Sequence, residues 1–183
     1  MSIYNESEIL KQLQDENQQH SAFSLLVSHF GEQLYWQIRK MVLSHDDAND
    51  LLQNTFMKAW SNIDSFRGDA KLSTWLYRIA VNECITFLNR QKMRNQVSIS
   101  DEEAPLLNVL EAEEYFIGDD AQLKLQKAIL TLPDKQRLVF NMRYFDSIKY
   151  EKMSEILGTS VGALKASYHH AVKKIEDYIL NTL

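Results

Sequence analysis

Apolar residues recur at three- and four-residue steps from Ala22 to Met41. This is the pattern of an amphipathic helix that buries one side. The same periodicity predicts a second helix from about Asp47 to Trp60, with Ser44 in the loop that caps it. A third helix is predicted through Trp75 to about Arg90, with the hydroxyl pair Ser73-Thr74 as its N-terminal cap.

The second half of the chain predicts four further helices. One runs from Leu123 to Leu130, and the next from Pro133 to about Phe145, because proline suits the first turn of a helix. Between Tyr150 and Lys174 the pattern divides into two helices. Gly158 supplies a turn that can reach positive φ, and Ser160 stands where the N-cap of the second helix belongs.

Composition supports a helical protein. With 5 glycines and 2 prolines in 183 residues, the chain has little of the turn chemistry that a many-stranded sheet needs. We therefore expect an all-α fold.

The cysteine count, the N-terminal segment and the length of the apolar runs narrow the class of protein further. Cys84 is the only cysteine, so neither an intramolecular disulfide nor a cysteine-based zinc site can form. The segment from Met1 to Glu16 is acidic and polar, unlike a signal peptide. No apolar run approaches the length of a membrane span. The sequence predicts a cytoplasmic protein without membrane insertion.

The net charge of −5 is distributed unevenly. Residues 98–120 carry 8 acidic and no basic residues, whereas residues 121–183 carry 10 basic against 6 acidic ones. Because like charges repel, the acidic stretch favours an extended linker, although Leu106 to Phe116 could form a short helix. We therefore expect two small helical domains, at 1–92 and 121–183, joined by an acidic linker at 93–120.

The last predicted helix has the chemistry of a major-groove reader. Its first turns are small, so its backbone can approach base edges, and Lys165 can donate to guanine. Lys149, Lys173 and Lys174 suit phosphates. The alternative is a helical hairpin with an ordinary solvated face. The pair His169-His170 does not predict a metal site, since adjacent helical residues diverge by about 100° and no third ligand is evident.

The segment from Leu132-Pro-Asp-Lys-Gln-Arg to Lys165 closely resembles region 4 of extracytoplasmic-function (ECF) sigma factors, which belong to the sigma-70 superfamily. The resemblance implies a helix-turn-helix that reads the −35 promoter element. The residues expected to contact that element are Lys149, Ser160, Gly162, Ala163, Lys165, Ser167, His169, His170 and Lys173. The family usually has arginines where this chain has Ser167 and His170, so guanine readout should depend more on Lys165.

The segments from Asp46 to Trp60, Phe66 to Asp69 and Leu72 to Asn82 resemble region 2 of the same family. The resemblance implies that one polar patch contacts the coiled coil of the polymerase β′ subunit. Its expected members are Asp50, Gln53, Asn54 and Phe56. Many relatives have glutamate at the position of Asn54, so one ion pair is expected to be absent. The alternative is that these polar residues form an ordinary solvated helix face without a partner protein.

The resemblance also implies that region 2 melts the −10 element and captures a flipped base. Cations and aromatic rings suit such a single-stranded segment. The expected −10 contacts are Arg67, Lys71, Ser73, Thr74, Trp75, Arg78, Asn82 and Arg90. The alternative for Trp75 is a place in the core, because a tryptophan at the start of an amphipathic helix is more often a core residue than a DNA contact. Trp60 is assigned to the core, and Trp36 is expected to be partly exposed.

In the family, the linker threads through the RNA exit path of the polymerase. Residues 98–120 suit such a basic channel, and a solubilising tether is the alternative. The implied partners are core RNA polymerase (β′ clamp and β flap), promoter DNA and, for a regulated member, an anti-sigma factor.

Three classes of function remain to be separated. A sigma factor should bind promoter DNA well only with core polymerase, whereas a conventional helix-turn-helix regulator binds duplex DNA alone. A helical protein-interaction module would show no salt-sensitive DNA binding. An enzyme is not expected, because the chain has no phosphate-binding glycine loop, nucleophile–base signature or metal-ligand set. We therefore expect no catalytic residue, no cofactor and no small-molecule substrate.

Overall fold

The fold is that of a computed structural model, which describes residues 5–66, 68–96, 110 and 120–181. In these ranges the chain forms eight α-helices and one short 3-10 helix, without a β-strand. The helices are α1 (Glu6–Leu13), α2 (Gln19–Val42), α3 (His45–Ser61), α4 (Leu72–Gln96), α5 (Asp120–Leu130), α6 (Asp134–Tyr144), α7 (Tyr150–Leu157) and α8 (Val161–Asn181). The all-α prediction is confirmed. None of these helices is long and apolar enough to cross a membrane.

Helices α1 to α4 form an N-terminal lobe, residues 5–96. Its core is the apolar stripe of α2, in which Leu26, Leu34 and Ile38 are completely buried, packed against α3 and α4. The predicted cap at Ser44 is present: its side chain accepts a hydrogen bond from the N–H of Asp47 at 3.2 Å. Helix α3 begins right after this cap, two residues earlier than the apolar pattern indicated.

The N-terminus of α4 corrects the sequence prediction. Ser73 and Thr74 do not cap this helix but lie inside its first turn. Instead, the carboxylate of Glu6 accepts a hydrogen bond from the N–H of Leu72 at 2.7 Å. Glu6 belongs to α1, a helix that was not predicted and that Asn5 caps. A carboxylate from the acidic N-terminal segment thus provides the hydrogen-bond acceptor for the N-terminus of a helix that begins 66 residues further along the chain.

Helices α5 to α8 form a C-terminal lobe, residues 120–181. Its core joins α5, α6 and α8 through apolar side chains, and the Phe140 ring stacks against Tyr168 at 5.8 Å between centroids. The turn between α7 and α8 has the predicted form. Gly158 lies in the left-handed region at φ 62°, and the Ser160 hydroxyl accepts a hydrogen bond from the N–H of Ala163 at 3.3 Å.

The two lobes pack against each other, which the sequence did not predict. Helix α4 contacts α7, and α2 contacts α6, so that one apolar cluster runs through both lobes. Leu110, from the acidic segment, is buried against Leu43 and Leu130. Apart from Leu110, the short helix expected within 106–116 lies outside the described residues, as do most of the acidic linker and Arg67.

The left-handed turn at Gly158 predicts a clear stability difference. Gly158→Ala should lower the free energy of unfolding by about 1 kcal/mol, because a Cβ is unfavourable at φ 62°. Gly31→Ala, inside α2 with no atom near the added Cβ, should raise it by up to about 1 kcal/mol. Thermal unfolding followed by circular dichroism measures both. Equal midpoints for the two variants would contradict the assigned turn.

Candidate nucleic-acid interface

The exposed face of α8 is held in place by an apolar stripe on its other side. Leu164, Ala171 and Ile175 are buried at steps of seven and four, which fixes the helix against α5, α6 and α7. The opposite side is exposed along the whole length of the helix. Most of the predicted −35 residues lie on it or at its edge, exposed to solvent: Lys149, Ser160, Gly162, Ala163, Lys165, His169, His170 and Lys173.

Lys165 is the basic residue nearest the start of this face. Its ammonium lies over the Tyr150 ring, 5.8 Å from the centroid, and the Arg143 guanidinium lies 5.2 Å from the same centroid. Both contacts are cation–π interactions, which restrict a flexible side chain without neutralising it. Lys165 is therefore held at the edge of the exposed face of α8, and its positive charge remains available to a ligand.

Ser167 and the histidine pair differ in their exposure to solvent. Ser167 is half-buried and lines a cavity beside α4, so it faces the N-terminal lobe rather than open solvent. The rings of His169 and His170 are exposed and 6.0 Å apart. Within the described ranges, no three His, Cys, Asp or Glu side chains cluster in a way that could hold a metal ion.

The predicted −10 residues divide along α4. Asn82 and Arg90 of α4 and Lys71, which directly precedes this helix, are exposed, so that a polyanion can reach them. Trp75 is half-buried and packs on Phe66 with ring centroids 5.0 Å apart. A tryptophan in this position supports the loop before α4 and offers only part of its ring to a ligand.

Three further −10 candidates are engaged by the C-terminal lobe. Lys152, on α7, donates hydrogen bonds to the hydroxyls of Ser73, at 3.5 Å, and Thr74, which is fully buried. The Arg78 guanidinium donates twice to the backbone oxygen of Glu155, at 2.9 and 2.5 Å. Lys152 and Glu155 were not singled out from the sequence, because only the packing of the lobes brings them to α4.

A second polar group joins α2 to the C-terminal lobe. Lys40 pairs with Asp146, and the Asn141 amide donates to the backbone oxygen of Lys40 at 3.2 Å. The negative charge of Asp146 also reaches Tyr77, whose phenol pKa is raised by burial and, to a smaller extent, by that carboxylate. These side chains lie between the lobes, with both members of the ion pair about four-fifths buried.

Arg137 is the most buried charge at this contact, at 1% exposure. Its guanidinium lies 3.2 Å from Asp134, which also pairs with Lys92 of α4 at 3.2 Å. It reaches the backbone oxygen of Met41 at 3.5 Å. Burial lowers the pKa of Arg137, and the Asp134 carboxylate opposes this effect. The pairing compensates part of the cost of removing this charge from water.

Packing between the lobes is incomplete. Among the described residues, Nε of Arg137, Oδ1 of Asn141 and Oδ2 of Asp146 are buried without a hydrogen-bond partner. Each such atom costs about 1–3 kcal/mol relative to water. A cavity of about 250 Å³ also lies between α4 and the C-terminal lobe, with Ile85 and Leu138 in its lining.

The predicted polymerase patch lies on α3, away from this contact. Asp50, Gln53 and Asn54 are exposed on one side of the helix. Phe56 is instead buried, at 9% exposure, and packs edge-on against Phe23. The exposed patch therefore consists of the three polar residues alone, and Phe56 packs in the apolar layer beneath them.

Trp60, predicted for the core, is half-buried beside Phe23 and His20, and Trp36 is partly exposed as expected. Both lie on the N-terminal lobe. The ring of Trp60 thus belongs to the wall of a shallow apolar groove between α2 and α3.

Comparison with known proteins gives matches in both lobes. The family model described as Sigma-70 region 2 matches residues 26–94, and the model described as Sigma-70, region 4 matches residues 122–175. The ECF RNA polymerase sigma factor SigW of Bacillus subtilis is 31% identical over 87% of this chain and 89% of its own length. The ECF RNA polymerase sigma-E factor of Escherichia coli K12 is 29% identical over 86% of each chain.

Two solved structures share the fold. CnrH, solved in complex with the cytosolic domain of CnrY, covers 97% of both chains with a TM-score of 0.67 and 22% identity. The sigma factor RpoE from Bartonella quintana, solved with the anti-sigma factor NepR, covers 86% of this chain and 96% of its own, with a TM-score of 0.61 and 24% identity.

The burial of Cys84 on α4 predicts an unreactive thiol. Cys84 is 3% exposed, and burial raises the pKa of its thiol to about 12, so the thiolate is scarce at pH 8. Since the thiolate is the nucleophile, alkylation by iodoacetamide should be at least about a hundredfold slower than in the chain unfolded by guanidinium. Mass spectrometry of the Cys84 peptide measures the rate. Comparable rates in the two states would show that Cys84 is not buried in the folded chain.

Proposed function

The chain belongs to the ECF family of sigma-70 factors, which direct promoter-specific transcription initiation by RNA polymerase, and we propose how its surfaces divide that work. The C-terminal lobe binds the −35 element and the N-terminal lobe opens and holds the −10 element. In this division, the domains are residues 1–92 and 121–183, and residues 93–120 connect them through the RNA exit path of the polymerase.

The observation that carries the proposal is the exposed face of α8, with Lys165 held at its edge. The small residues Gly162 and Ala163 allow the helix backbone to approach base edges. Lys165 donates to guanine, while Lys149 and Lys173 contact phosphates and set the position of the helix. His170, at a position where the family usually has arginine, supplies part of the contact expected of that arginine, and His169 adds a second exposed ring beside it.

Helix α4 supplies the −10 contacts. Lys71, Arg78 and Arg90 neutralise the phosphates of a separated strand, and Asn82 offers both a donor and an acceptor to a base. The exposed part of the Trp75 ring, backed by Phe66, provides a surface on which an unstacked base can stack. Ser73 and Thr74 add hydroxyl donors at the first turn.

The α3 patch binds core polymerase. The carboxylate of Asp50 and the amides of Gln53 and Asn54 suit arginine donors on the β′ clamp. Phe56 holds this side of α3 in place from below. The C-terminal lobe contacts the β flap. Bond formation remains with the polymerase, so the chain itself needs no catalytic residue or cofactor.

An anti-sigma factor is a further proposed partner. The CnrH and RpoE structures are both complexes with a second protein, and in the RpoE complex that protein is the anti-sigma factor NepR. A protein of this class that inserts at the contact between the lobes would control when both promoter surfaces are available.

The assignment of Lys165 predicts a loss of −35 selectivity. Lys165→Ala should weaken discrimination at a guanine position of the −35 element by about 1–3 kcal/mol, because a direct donor to the base is lost. Run-off transcription with core polymerase over a promoter library measures the selection. Lys11→Ala, an equal charge change on α1, is the matched control and should leave the preferred sequences unchanged.

A second experiment, a gel shift, tests the class of function. In a gel shift, the chain alone should retain little promoter DNA, and adding core polymerase should produce a specific complex. Strong specific binding without polymerase would indicate a conventional regulator. An unchanged library profile for Lys165→Ala would remove α8 from the −35 contact.

The assignment of α4 predicts a defect in strand opening. Arg90→Ala in the reconstituted holoenzyme should reduce permanganate reactivity of −10 thymines about two- to fivefold, as expected for the loss of one exposed phosphate contact. Lys11→Ala again serves as the control. Reactivity equal to wild type at both low and high salt would argue against α4 as the −10 surface.

A further inference from the structure

We propose that helix α1, which carries none of the predicted DNA-contacting residues, fixes the loop that leads into α4, and that Glu6 and Gln19 are positioning residues for the −10 surface. This α3–α4 loop, residues 62–71, ends at the −10 candidate Lys71. The importance of the loop for promoters rests on the proposed −10 function of α4. The contacts of α1 with the loop do not depend on that function, and the two can be tested separately.

The first observation is that α4 begins next to a residue that cannot cap it. The N–H of Trp75 donates to the backbone oxygen of Lys71 at 3.1 Å, which places Lys71 at the N-cap position. A lysine side chain has no acceptor for the free N–H groups of a helix start, and its positive charge is unfavourable there. The Glu6 carboxylate compensates on both counts, since it is negative and accepts from the N–H of Leu72 at 2.7 Å. A cation suited to phosphate thus stands at the start of α4 together with an acceptor from another helix.

Helix α1 is also tied to the beginning of the α3–α4 loop. The side-chain amide of Gln19 donates to the backbone oxygen of Leu13, at the end of α1, at 3.1 Å. The same amide donates to the carboxylate of Asp64 at 2.9 Å. Asp64 lies in the short 3-10 helix Ile63–Ser65, which follows α3. The two ends of α1 are therefore connected to the two ends of the loop.

Helix α1 is short, and its order comes from its contacts. Eight residues are too few for a helix to be stable alone in water. The Asn5 side chain caps α1 by accepting from the N–H groups of Ser7 and Glu8 at 3.1 and 3.4 Å. Ile9 and Leu13 are buried, and the helix packs on α2. Because α1 is fixed to the core, it gives the loop two firm attachment points.

The α3–α4 loop is long compared with the spacing of these attachment points. Glu6 and Leu13 are seven residues apart, which is roughly 10 Å along a helix. The eight residues that lead from Asp64 to Leu72 could extend to roughly 26 Å. The length of the loop therefore does not determine its shape, and the contacts with α1 limit the positions that Lys71 can take.

The same contacts hold the aromatic part of the −10 surface. Phe66 lies in the α3–α4 loop and packs on Trp75, in the first turn of α4, with 5.0 Å between ring centroids. A loop that is already ordered avoids the entropy cost of ordering when an unstacked base is captured. We therefore expect the loss of the Glu6 contact to impair strand opening and to leave core binding and −35 selection unchanged.

Four single variants separate the contact from the charge. Glu6→Ala removes the acceptor, whereas Glu6→Gln removes the charge and keeps an oxygen that can accept from the N–H of Leu72. Gln19→Glu, which is almost equal in size, places a second carboxylate beside Asp64 at the other end of α1. Glu8→Ala is the matched control, because Glu8 is exposed on the same helix and its loss makes the same change of charge. Circular dichroism melts verify that each variant is folded.

Two measurements, both made well below the melting transition of every variant, report the result. In the full chain, hydrogen exchange of the Leu72 amide followed by NMR should be about three- to tenfold faster in Glu6→Ala. In the reconstituted holoenzyme, permanganate reactivity of −10 thymines should fall about two- to fivefold in Glu6→Ala and in Gln19→Glu. Glu6→Gln should stay within about twofold of wild type in both measurements, and Glu8→Ala should equal wild type.

Unchanged exchange of the Leu72 amide in Glu6→Ala would show that α1 does not fix the loop. Faster exchange with wild-type strand opening would reduce Glu6 to a structural cap, provided that Arg90→Ala impairs opening. An equal loss of opening in Glu8→Ala, or a parallel loss of core binding in Glu6→Ala, would also overturn the positioning role. If Arg90→Ala has no effect, the −10 assignment fails and the positioning role fails with it, whereas the exchange rates still decide whether α1 fixes the loop.

Discussion

Helix α4 is buried on two sides at once, and the rest of the structure depends on this constraint. One side packs on α2 and α3, and another meets α7 and, through the Lys92–Asp134 ion pair, α6. Its N-terminus is fixed by the Glu6 carboxylate from the first helix of the chain. A helix held in this way positions every residue along it, so the exposed row from Lys71 to Arg90 is presented by a rigid support.

The two sides of α4 differ in chemistry, and the difference has a functional meaning. Toward α2 and α3 the contact is apolar, with Leu76 and Ala80 completely buried. Toward the C-terminal lobe it includes Arg78, Lys92 and the buried charge of Arg137. Polar contacts that lose little on exposure to water are typical of interfaces that form and separate. The apolar contact with α2 and α3 holds the N-terminal lobe together, and the contact that includes charged residues joins this lobe to the C-terminal lobe.

Leu110, buried between Leu43 of the N-terminal lobe and Leu130 of the C-terminal lobe, shows that the connecting segment takes part in the packing of the two lobes. The contact between the lobes also includes an apolar cluster that runs through both of them and polar contacts such as the one from Arg78 to the backbone oxygen of Glu155.

The sequence by itself determined the local structure. Periodicity placed most of the helices, Gly158 and Ser160 fixed the turn of the helix-turn-helix, and the motifs in both lobes pointed to the correct family. These features depend on neighbouring residues, which a sequence states directly. The missed helix α1 and the wrong cap at Ser73-Thr74 are connected. The residue that caps α4 is Glu6 of α1, and it lies far from α4 in the sequence. Only the tertiary structure decided that Thr74 and Arg78 are bound by Lys152 and Glu155, and that Arg137 is buried. Contacts between lobes depend on how two finished surfaces fit, which no local pattern records.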